Sequence, residues 1–270
     1  MIFLKLGGSL ITDKATPSTA RPQVIRRLTT EVAAAWRAKP SLHLVLGHGS
    51  GSFGHTAASK YGTRHGVRTP EHWRGFAEVW HAASALNRMV VDAFQQAGLP
   101  AIAFPASAAA VTRNRHICTW DLTPLQQALE HGLLPVVYGD VVFDEVLGGS
   151  ILSTEDIFAY LGQRLQPRRI LIAGIEAGVW ADYPACTRLI REITPASLPQ
   201  ITESLSGSAH TDVTGGMYAK VTEMLALLDT QPTLQEVCIF SGAEAGNVEA
   251  ALLGSSPGTA LHRNRKENTL

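Results

Sequence analysis

The chain has 270 residues, enough for one large domain or two lobes around a substantial core. Apolar residues make up 45% of the sequence and charged residues 17%, as in ordinary globular enzymes. The 23 basic residues equal the 23 acidic ones, so no net positive field favours nucleic acid or an anionic membrane surface as a partner. No apolar run approaches the ~18 residues of a membrane span.

Cysteine usage and the N-terminus indicate the compartment. Cys118, Cys186 and Cys238 lie far apart, without a CxxC pair or the spacing of metal ligands. A scattered, odd set of this kind is typical of a reducing cytoplasm. The chain begins with an amphipathic strand pattern rather than a signal peptide. We therefore expect a cytoplasmic protein with no membrane partner and no protein metal ligands.

Short apolar runs alternate with longer amphipathic stretches along the chain. The predicted strands are residues 2–6, 42–46, 101–104, 135–138, 170–173 and 237–240. The predicted helices are about residues 22–38, 72–97, 122–131, 154–165 and 215–229. This alternation predicts βαβ units in an α/β fold, with a mostly parallel sheet covered on both faces. Residues 111–117 predict a small hairpin that turns at Asn114.

Three glycine-rich segments accompany these elements. They are residues 5–9 (KLGGS), residues 47–55 (GHGSGSFGH) and residues 212–217 (DVTGGM), the last followed by Lys220. Backbone amides of such turns can approach a phosphate closely, and His55 adds a donor that can be charged near neutral pH. Together the segments predict a site that holds two phosphorylated molecules end to end.

Other nucleotide-binding patterns fit less well. Gly49, Gly51 and Gly54 have the spacing of the dinucleotide fingerprint, which also needs an acidic residue about 20 positions further on, after a second strand. Glu71 and Glu78 are near that distance, but the segment around them predicts the start of a helix. The chain lacks the Gly-x-x-x-x-Gly-Lys-Ser/Thr sequence of P-loop kinases.

The helix predicted over 72–97 carries an apolar stripe with strict 3,4 spacing: Trp73, Phe76, Trp80, Ala83, Asn87, Val90 and Phe94. Core packing is the default interpretation of such a stripe, and we adopt it for Val90 and Phe94. Because the helix follows the His55 segment closely, Phe76, Val79 and Ala83 could instead line an apolar pocket. Periodicity does not separate these two possibilities.

Four segments together resemble the amino acid kinase superfamily: residues 5–9, 47–55, 138–140 (YGD) and 212–217 with Lys220. Within it, the chain is similar to the isopentenyl phosphate kinases through residues 5–14 and 51–55. The resemblance implies ATP-dependent phosphorylation of isopentenyl phosphate to isopentenyl diphosphate. It also implies a three-layer αβα sandwich with a mostly parallel central sheet, as one domain over residues 1–270.

Within that domain, the resemblance implies that about residues 1–165 bind the small acceptor and about residues 166–270 bind ATP, usually in a homodimer. Mg²⁺ is expected with ATP, held mostly by phosphates and water. Phosphoryl transfer leaves the protein mainly positioning and charge neutralisation to perform. The resemblance and this chemistry give the predicted catalytic residues: Lys5, Lys14, His55, Asp156 and Lys220.

These residues have different predicted roles. Lys5 and Lys220 bracket the ATP phosphates, and Asp156 orients both lysines; alternatively, Asp156 is a helix-start carboxylate favoured by the helix dipole. His55 holds the acceptor phosphate, which is already ionised and needs a cation rather than a base. Lys14 either reaches the transferring phosphate or is simply an exposed lysine.

The remaining predictions concern the two binding sites. The acceptor side is predicted to use the glycines of both turns, His55 and the apolar stripe: Gly8, Gly49, Gly51, Gly54, His55, Phe76, Val79 and Ala83. The nucleotide side is predicted to use both lysines, the first and third turns and the segment after residue 174: Lys5, Gly8, Ser9, Gly178, Trp180, Asp182, Gly215, Gly216 and Lys220. His48 is assigned only packing or support of the loop.

Two positions depart from the family pattern: Ser50, where glycine is usual, and Thr56, where proline is frequent. If position 50 required a positive φ, serine there would be strained by roughly 1–2 kcal/mol. Another small-molecule kinase on this scaffold, such as a fosfomycin kinase, remains possible, although a compact phosphonate does not need the apolar pocket. A UMP kinase and a non-catalytic nucleotide-binding module fit the residues less well.

Overall fold

The computed structural model describes residues 1–201 and 216–264, apart from the side chains of His55 and Thr56. The strands are β1 (Ile2–Leu6), β2 (Leu44–His48), β3 (Ala101–Ala103), β4 (Ala110–Arg113), β5 (His116–Trp120), β6 (Leu134–Tyr138), β7 (Asp140–Asp144), β8 (Gly148–Leu152), β9 (Arg169–Gly174), β10 (Val179–Trp180), β11 (Leu189–Ile190), β12 (Glu192–Ile193), β13 (Glu236–Ser241) and β14 (Thr259–Leu261). The helices are α1 (Gly8–Ile11), α2 (Pro22–Ala38), α3 (Gly51–Tyr61), α4 (Pro70–Gln96), α5 (Thr123–Glu130), α6 (Thr154–Leu165), α7 (Gly216–Thr230) and α8 (Asn247–Leu252).

Eight strands form the central sheet in the order β12-β14-β13-β9-β1-β2-β6-β3. All neighbouring strands in it are parallel except β13 and β14. The mostly parallel α/β sheet predicted from the sequence is therefore confirmed. Each predicted strand and helix end lies within two residues of the observed one. The predicted hairpin is β4–β5, and both Asn114 and Arg115 have positive φ in its turn.

Helices cover both faces of the sheet, as a three-layer sandwich requires. Side chains alternate along β1, so Leu4 and Leu6 join a core with α2, α4 and α8, whereas Phe3 joins the opposite core with α5, α6 and α7. Lys5 shares the face of Phe3 and therefore points toward the layer that contains α6 and α7. None of the helices within the described ranges is long and apolar enough to cross a membrane.

A second sheet, in the order β5-β4-β7-β8, lies beyond the carboxyl end of β6. Asp144 anchors it. Its carboxylate accepts hydrogen bonds from the N–H groups of residues 114, 115, 146 and 147 and from the Thr112 hydroxyl. Burial alone would raise the pKa of Asp144, but the hydrogen bonds, led by those from the Arg115 and Leu147 N–H groups, hold it well below its ordinary value.

We predict that Asp144→Asn lowers the free energy of unfolding by about 2–4 kcal/mol at pH 7. The NH₂ group of asparagine would replace one carboxylate oxygen, so the donors that this oxygen accepted from would lose their acceptor. The difference from wild type should be constant above pH ~5 and shrink below the unfolded carboxyl pKa of about 3.9, where the depressed pKa no longer contributes. Thermal denaturation against pH measures both effects. Glu145→Gln, in an exposed pair with Arg113, is the control; equal losses for both variants would refute the role of Asp144.

Candidate functional site

The candidate site lies at the carboxyl edge of the central sheet. β1, β2 and β9 run side by side there, and Lys5 lies next to Gly47 of β2 and Ile172 of β9. The turn after β1 contains Gly7 and Gly8, and the turn after β2 contains Gly49 and Ser50. Binding sites in open parallel sheets form at this edge because the strand-to-helix loops converge there.

The two turns are packed against each other too closely for side chains. A Cβ atom on Gly8 would lie 2.5 Å from the Gly51 nitrogen, and one on Gly49 would lie 2.8 Å from the Gly8 nitrogen. Thr12 fastens the pair, since its hydroxyl donates to the Gly8 carbonyl at 2.7 Å and accepts from the Ser52 N–H at 3.0 Å. Glycine at positions 8 and 49 is therefore required by contact between backbones.

The second turn is shorter than the sequence suggested, because α3 already begins at Gly51. Ser50 has helical dihedral angles (φ −78°, ψ −13°), so the strain considered for a serine at this position does not arise. The positive φ, +49°, belongs to Gly51. His55 lies in the second turn of α3 rather than at the end of a loop, and its side chain is outside the described part of the structure.

The two turns present backbone donors that the protein does not use. Within the described residues, the N–H groups of Gly8, Ser9, Ser50 and Gly51 have no protein acceptor. Ser50 and Gly51 also stand at the N-terminus of α3, where the helix dipole favours an anion. The arrangement provides a cradle for a phosphate group.

Lys5 forms an ion pair with Glu155 in the first turn of α6. The sequence had suggested Asp156 as the carboxylate that orients the lysines, and for Lys5 this is wrong by one residue. Asp156 accepts hydrogen bonds from the Ser153 N–H at 2.8 Å and the Ser153 hydroxyl at 2.7 Å, which makes it the capping box of α6. Asp156 is therefore observed as a helix-start carboxylate, which was the alternative predicted for it.

Glu155 also responds to Lys220 on α7. Burial would raise the pKa of Glu155, but the Lys5 and Lys220 charges hold it below its ordinary value. The charges of Lys5 and Lys220, from opposite ends of the chain, thus both act on one carboxylate. Glu223, one turn after Lys220, was not predicted; burial and the Asp156 and Glu155 charges raise its pKa.

The sequence did not single out Glu155 or Thr12, for different reasons. The spacing of Ser153 and Asp156 is that of a capping box, so it could have assigned Asp156 to the helix end and left Glu155 as the outward carboxylate. Thr12 carried no such signal, because its partners Gly8 and Ser52 meet it only when the two turns pack together.

Lys14 is exposed in the loop between α1 and α2. This loop is held over the start of α3, because the Ser18 N–H donates to the Ser52 carbonyl and the Thr19 N–H to the Ser52 hydroxyl. Lys14 therefore lies on a segment attached to the phosphate cradle, with its own role still a prediction.

The residues predicted to contact the nucleotide have local contacts of their own. Next to Gly178, the Val179 N–H donates to the Thr259 hydroxyl of β14 at 2.8 Å. The Trp180 indole donates to Glu176 at 3.0 Å. Asp182 accepts hydrogen bonds from the Thr187 hydroxyl and from the Thr187 and Arg188 N–H groups. These bonds, the one from the Thr187 hydroxyl first, lower the pKa of Asp182. Gly216 begins α7, and the prediction for Gly215 lies outside the described residues.

The predicted apolar residues divide between two surroundings. Phe76 and Val79 pack with Val67 and Val141 in a small cluster between α4 and the second sheet, and Ala83 is buried nearby along the helix. The ring of Phe76 lies 5.2 Å from that of Phe143. Val90 and Phe94 belong to the main core, as predicted. Trp73 and Trp80, by contrast, are 38% and 45% exposed, so the apolar stripe of the helix is not buried along its whole length. Trp73 contacts Phe76 and Phe143 at the rim of the cluster.

Comparisons with known proteins show the family of this chain. The sequence profile of the amino acid kinase family matches residues 1–241. The isopentenyl phosphate kinase of Methanothermobacter thermautotrophicus is 36% identical over 265 residues, which cover 94% of this chain and 96% of that protein. That of Methanocaldococcus jannaschii is 31% identical, with coverage of 97% and 98%. A solved isopentenyl phosphate kinase structure superposes with a TM-score of 0.79 at 32% identity and covers 97% of this chain and 99% of that one. The chain therefore belongs to the amino acid kinase family.

Proposed function

We propose that the protein transfers the γ-phosphoryl group of ATP to isopentenyl phosphate, giving isopentenyl diphosphate and ADP. The observation that carries the proposal is the Lys5–Glu155 ion pair beside two interlocked glycine turns with unused N–H donors. Relatives that match nearly the whole chain are named isopentenyl phosphate kinases, which supports the choice of acceptor over a phosphonate or UMP.

The chemistry follows from charge. An oxygen of the acceptor phosphate is already ionised, so it attacks the γ-phosphorus without a general base, and the bond to the ADP oxygen breaks as the new P–O bond forms. Charge spreads over the oxygens of the transferred group in the transition state. The N–H groups of Gly8, Ser50 and Gly51 bind these oxygens, and Lys5 and Lys220 neutralise them. Glu155 keeps both ammonium groups in place.

The halves of the chain divide the substrates. Residues up to about 165 bind the acceptor, with the five-carbon tail at the Phe76–Val79 cluster and the phosphate at His55, and the later residues bind ATP. Gly178, Trp180 and Asp182 would hold the adenosine. Within the described residues, no group of three or more acidic, histidine or cysteine side chains could form a metal cage. Mg²⁺ would enter with ATP, held mostly by phosphate oxygens and water rather than by a dedicated protein cage.

We also propose an assembly state and a location for the protein. The protein acts as a homodimer in the cytoplasm, on small molecules alone. Exposed apolar side chains on α4 and the edge strand β3, Met89 and Ile102 among them, support self-association. Cys118, Cys186 and Cys238 are unpaired, which supports a reducing compartment.

A coupled ADP-release assay with five acceptors tests the function: isopentenyl phosphate, dimethylallyl phosphate, fosfomycin, UMP and N-acetylglutamate. We expect the highest kcat/KM with isopentenyl phosphate. A higher kcat/KM with fosfomycin or UMP would identify that compound, rather than isopentenyl phosphate, as the acceptor. ATP binding without turnover of any of the five compounds would favour the non-catalytic alternative.

The two neighbouring carboxylates should separate in their effects. Glu155→Gln removes the charge that holds Lys5 and Lys220, so kcat should fall by about 10²–10³, as for the loss of one preorganised electrostatic group. Stability should fall as well, because the Lys5 charge loses its partner, so kcat is the quantity that separates the two variants. Asp156→Asn weakens the capping box and should cost about 1 kcal/mol of stability with little change in kcat. Steady-state kinetics and thermal denaturation of both variants measure this, and the reverse pattern would restore Asp156 as the orienting residue.

The size of the apolar cluster should set chain-length preference. Phe76→Ala opens space beside Val79, and each further buried methylene of a prenyl chain is worth about 0.8 kcal/mol. We expect the ratio of kcat/KM for the ten-carbon over the five-carbon monophosphate to rise at least tenfold. Val90→Ala, on the same helix but in the main core, should leave the ratio unchanged. An unchanged ratio in folded Phe76→Ala would assign Phe76 to packing alone.

His55 should act on the acceptor only. His55→Ala is expected to raise the acceptor KM and lower kcat together while the KM for ATP stays near wild type, since the imidazole is proposed to hold the acceptor phosphate. His55→Gln keeps a donor without the charge and should recover part of the activity. Acceptor constants for His55→Ala within about twofold of wild type, under ~0.5 kcal/mol, would leave the histidine without a catalytic role.

A further inference from the structure

His48, the last residue of β2, is a buried junction of four elements next to the phosphate cradle. The residue is fully buried, and its carbonyl accepts hydrogen bonds from the Gly139 N–H at 3.1 Å and the Thr154 hydroxyl at 2.7 Å. Its ring stacks on Tyr138 with the centroids 5.5 Å apart. Thr154 immediately precedes Glu155, so His48 also touches the helix that supplies the partner of Lys5.

The two ring nitrogens have different partners. Nδ1 lies 3.1 Å from the Gly49 carbonyl oxygen, and Nε2 lies 3.1 Å from the atom placed as Oδ1 of Asn87 on α4. Burial, with a smaller effect of the Lys5 charge, lowers the pKa of His48, so the ring is neutral and carries one N–H. The Gly49 carbonyl oxygen can only accept, so we place the proton on Nδ1. Nε2 then needs a donor, and we therefore assign the Asn87 amide with its oxygen and nitrogen positions exchanged, which turns the NH₂ group toward Nε2.

This hydrogen bond fixes one peptide group of the cradle. The Gly49–Ser50 peptide is trans, so its C=O and N–H point in opposite directions. When His48 holds the Gly49 carbonyl, the Ser50 N–H must point away from the buried ring, and it has no acceptor in the described part of the protein. Gly49 itself is held from the other side, because its N–H donates to the Leu6 carbonyl at 3.1 Å.

We propose that His48, held as the Nδ1–H tautomer by Asn87, is a positioning residue that aims the Ser50 N–H at the bound phosphate. The inference rests on the proposed phosphoryl transfer for its effect on rate, whereas the tautomer itself does not depend on the reaction. Asn87 is a buried polar residue on an apolar helix face. Its hydrogen bond to His48 explains this burial.

Two matched substitutions test this. In His48→Asn the amide nitrogen can take the place of Nδ1 and still donate to the Gly49 carbonyl. In His48→Gln the longer amide reaches the place of Nε2 and leaves that carbonyl without its donor. Both variants lose the stacked ring, so both should melt below wild type. We expect kcat on isopentenyl phosphate to stay within about tenfold of wild type for His48→Asn and to fall by about 10²-fold or more for His48→Gln.

Tyr138→Leu is the control for stacking, with a lower melting temperature and kcat within about threefold of wild type. Equal kcat losses in the two His48 variants, or a smaller loss in His48→Gln, would overturn the proposal.

A measurement on the wild-type protein covers the case in which a variant does not fold. The ¹⁵N shifts of the His48 ring should show the neutral Nδ1–H tautomer between pH 7 and 8.5, and an Nε2–H tautomer or titration in this range would also overturn the proposal. Wild-type protein with the Nδ1–H tautomer but no turnover would instead refute the proposed function.

Discussion

The ion pair between Lys5 and Glu155 is the contact on which the site depends. It joins the central strand β1 to the start of α6, and both side chains are largely withdrawn from water. Removing one partner of such a pair leaves an uncompensated charge and costs about 3–5 kcal/mol, whereas an apolar replacement of both is often tolerated. Stability alone therefore does not explain the pair. Its value is that an ammonium group is held at the carboxyl edge of the sheet with its direction set.

The backbone around this pair is rigid for steric reasons. Gly8 and Gly49 approach so closely that neither tolerates a Cβ, and Thr12 bridges the turns by two hydrogen bonds. From the far side of β2, His48 connects the second turn to Asn87 of α4 and to Thr154 of α6. The donors for a phosphate are thus fixed before any ligand binds, which avoids reorganisation when charge develops.

The proposed acceptor end is built differently. Phe76 and Val79 contact the second sheet, whose hairpin is fixed by the five hydrogen bonds that Asp144 accepts. The aromatic rim of Trp73 and Phe143 is partly exposed. An apolar cluster with an open rim, next to a polar cradle, suits a substrate with a short hydrocarbon tail and an anionic head.

The sequence by itself determined the α/β fold, the ends of the predicted strands and helices within two residues, and the glycine turns after β1 and β2, because periodicity and turn chemistry are local. Only the tertiary structure decided that Lys5 pairs with Glu155 rather than Asp156, that α3 begins at Gly51, and that Trp73 and Trp80 stay exposed. Lys5 and Glu155 are 150 residues apart. Which of two adjacent carboxylates reaches the lysine depends on the rotation of α6 over the sheet, which the local pattern does not encode. For the same reason, the helix stripe could not show which of its members face the core, the second sheet or water.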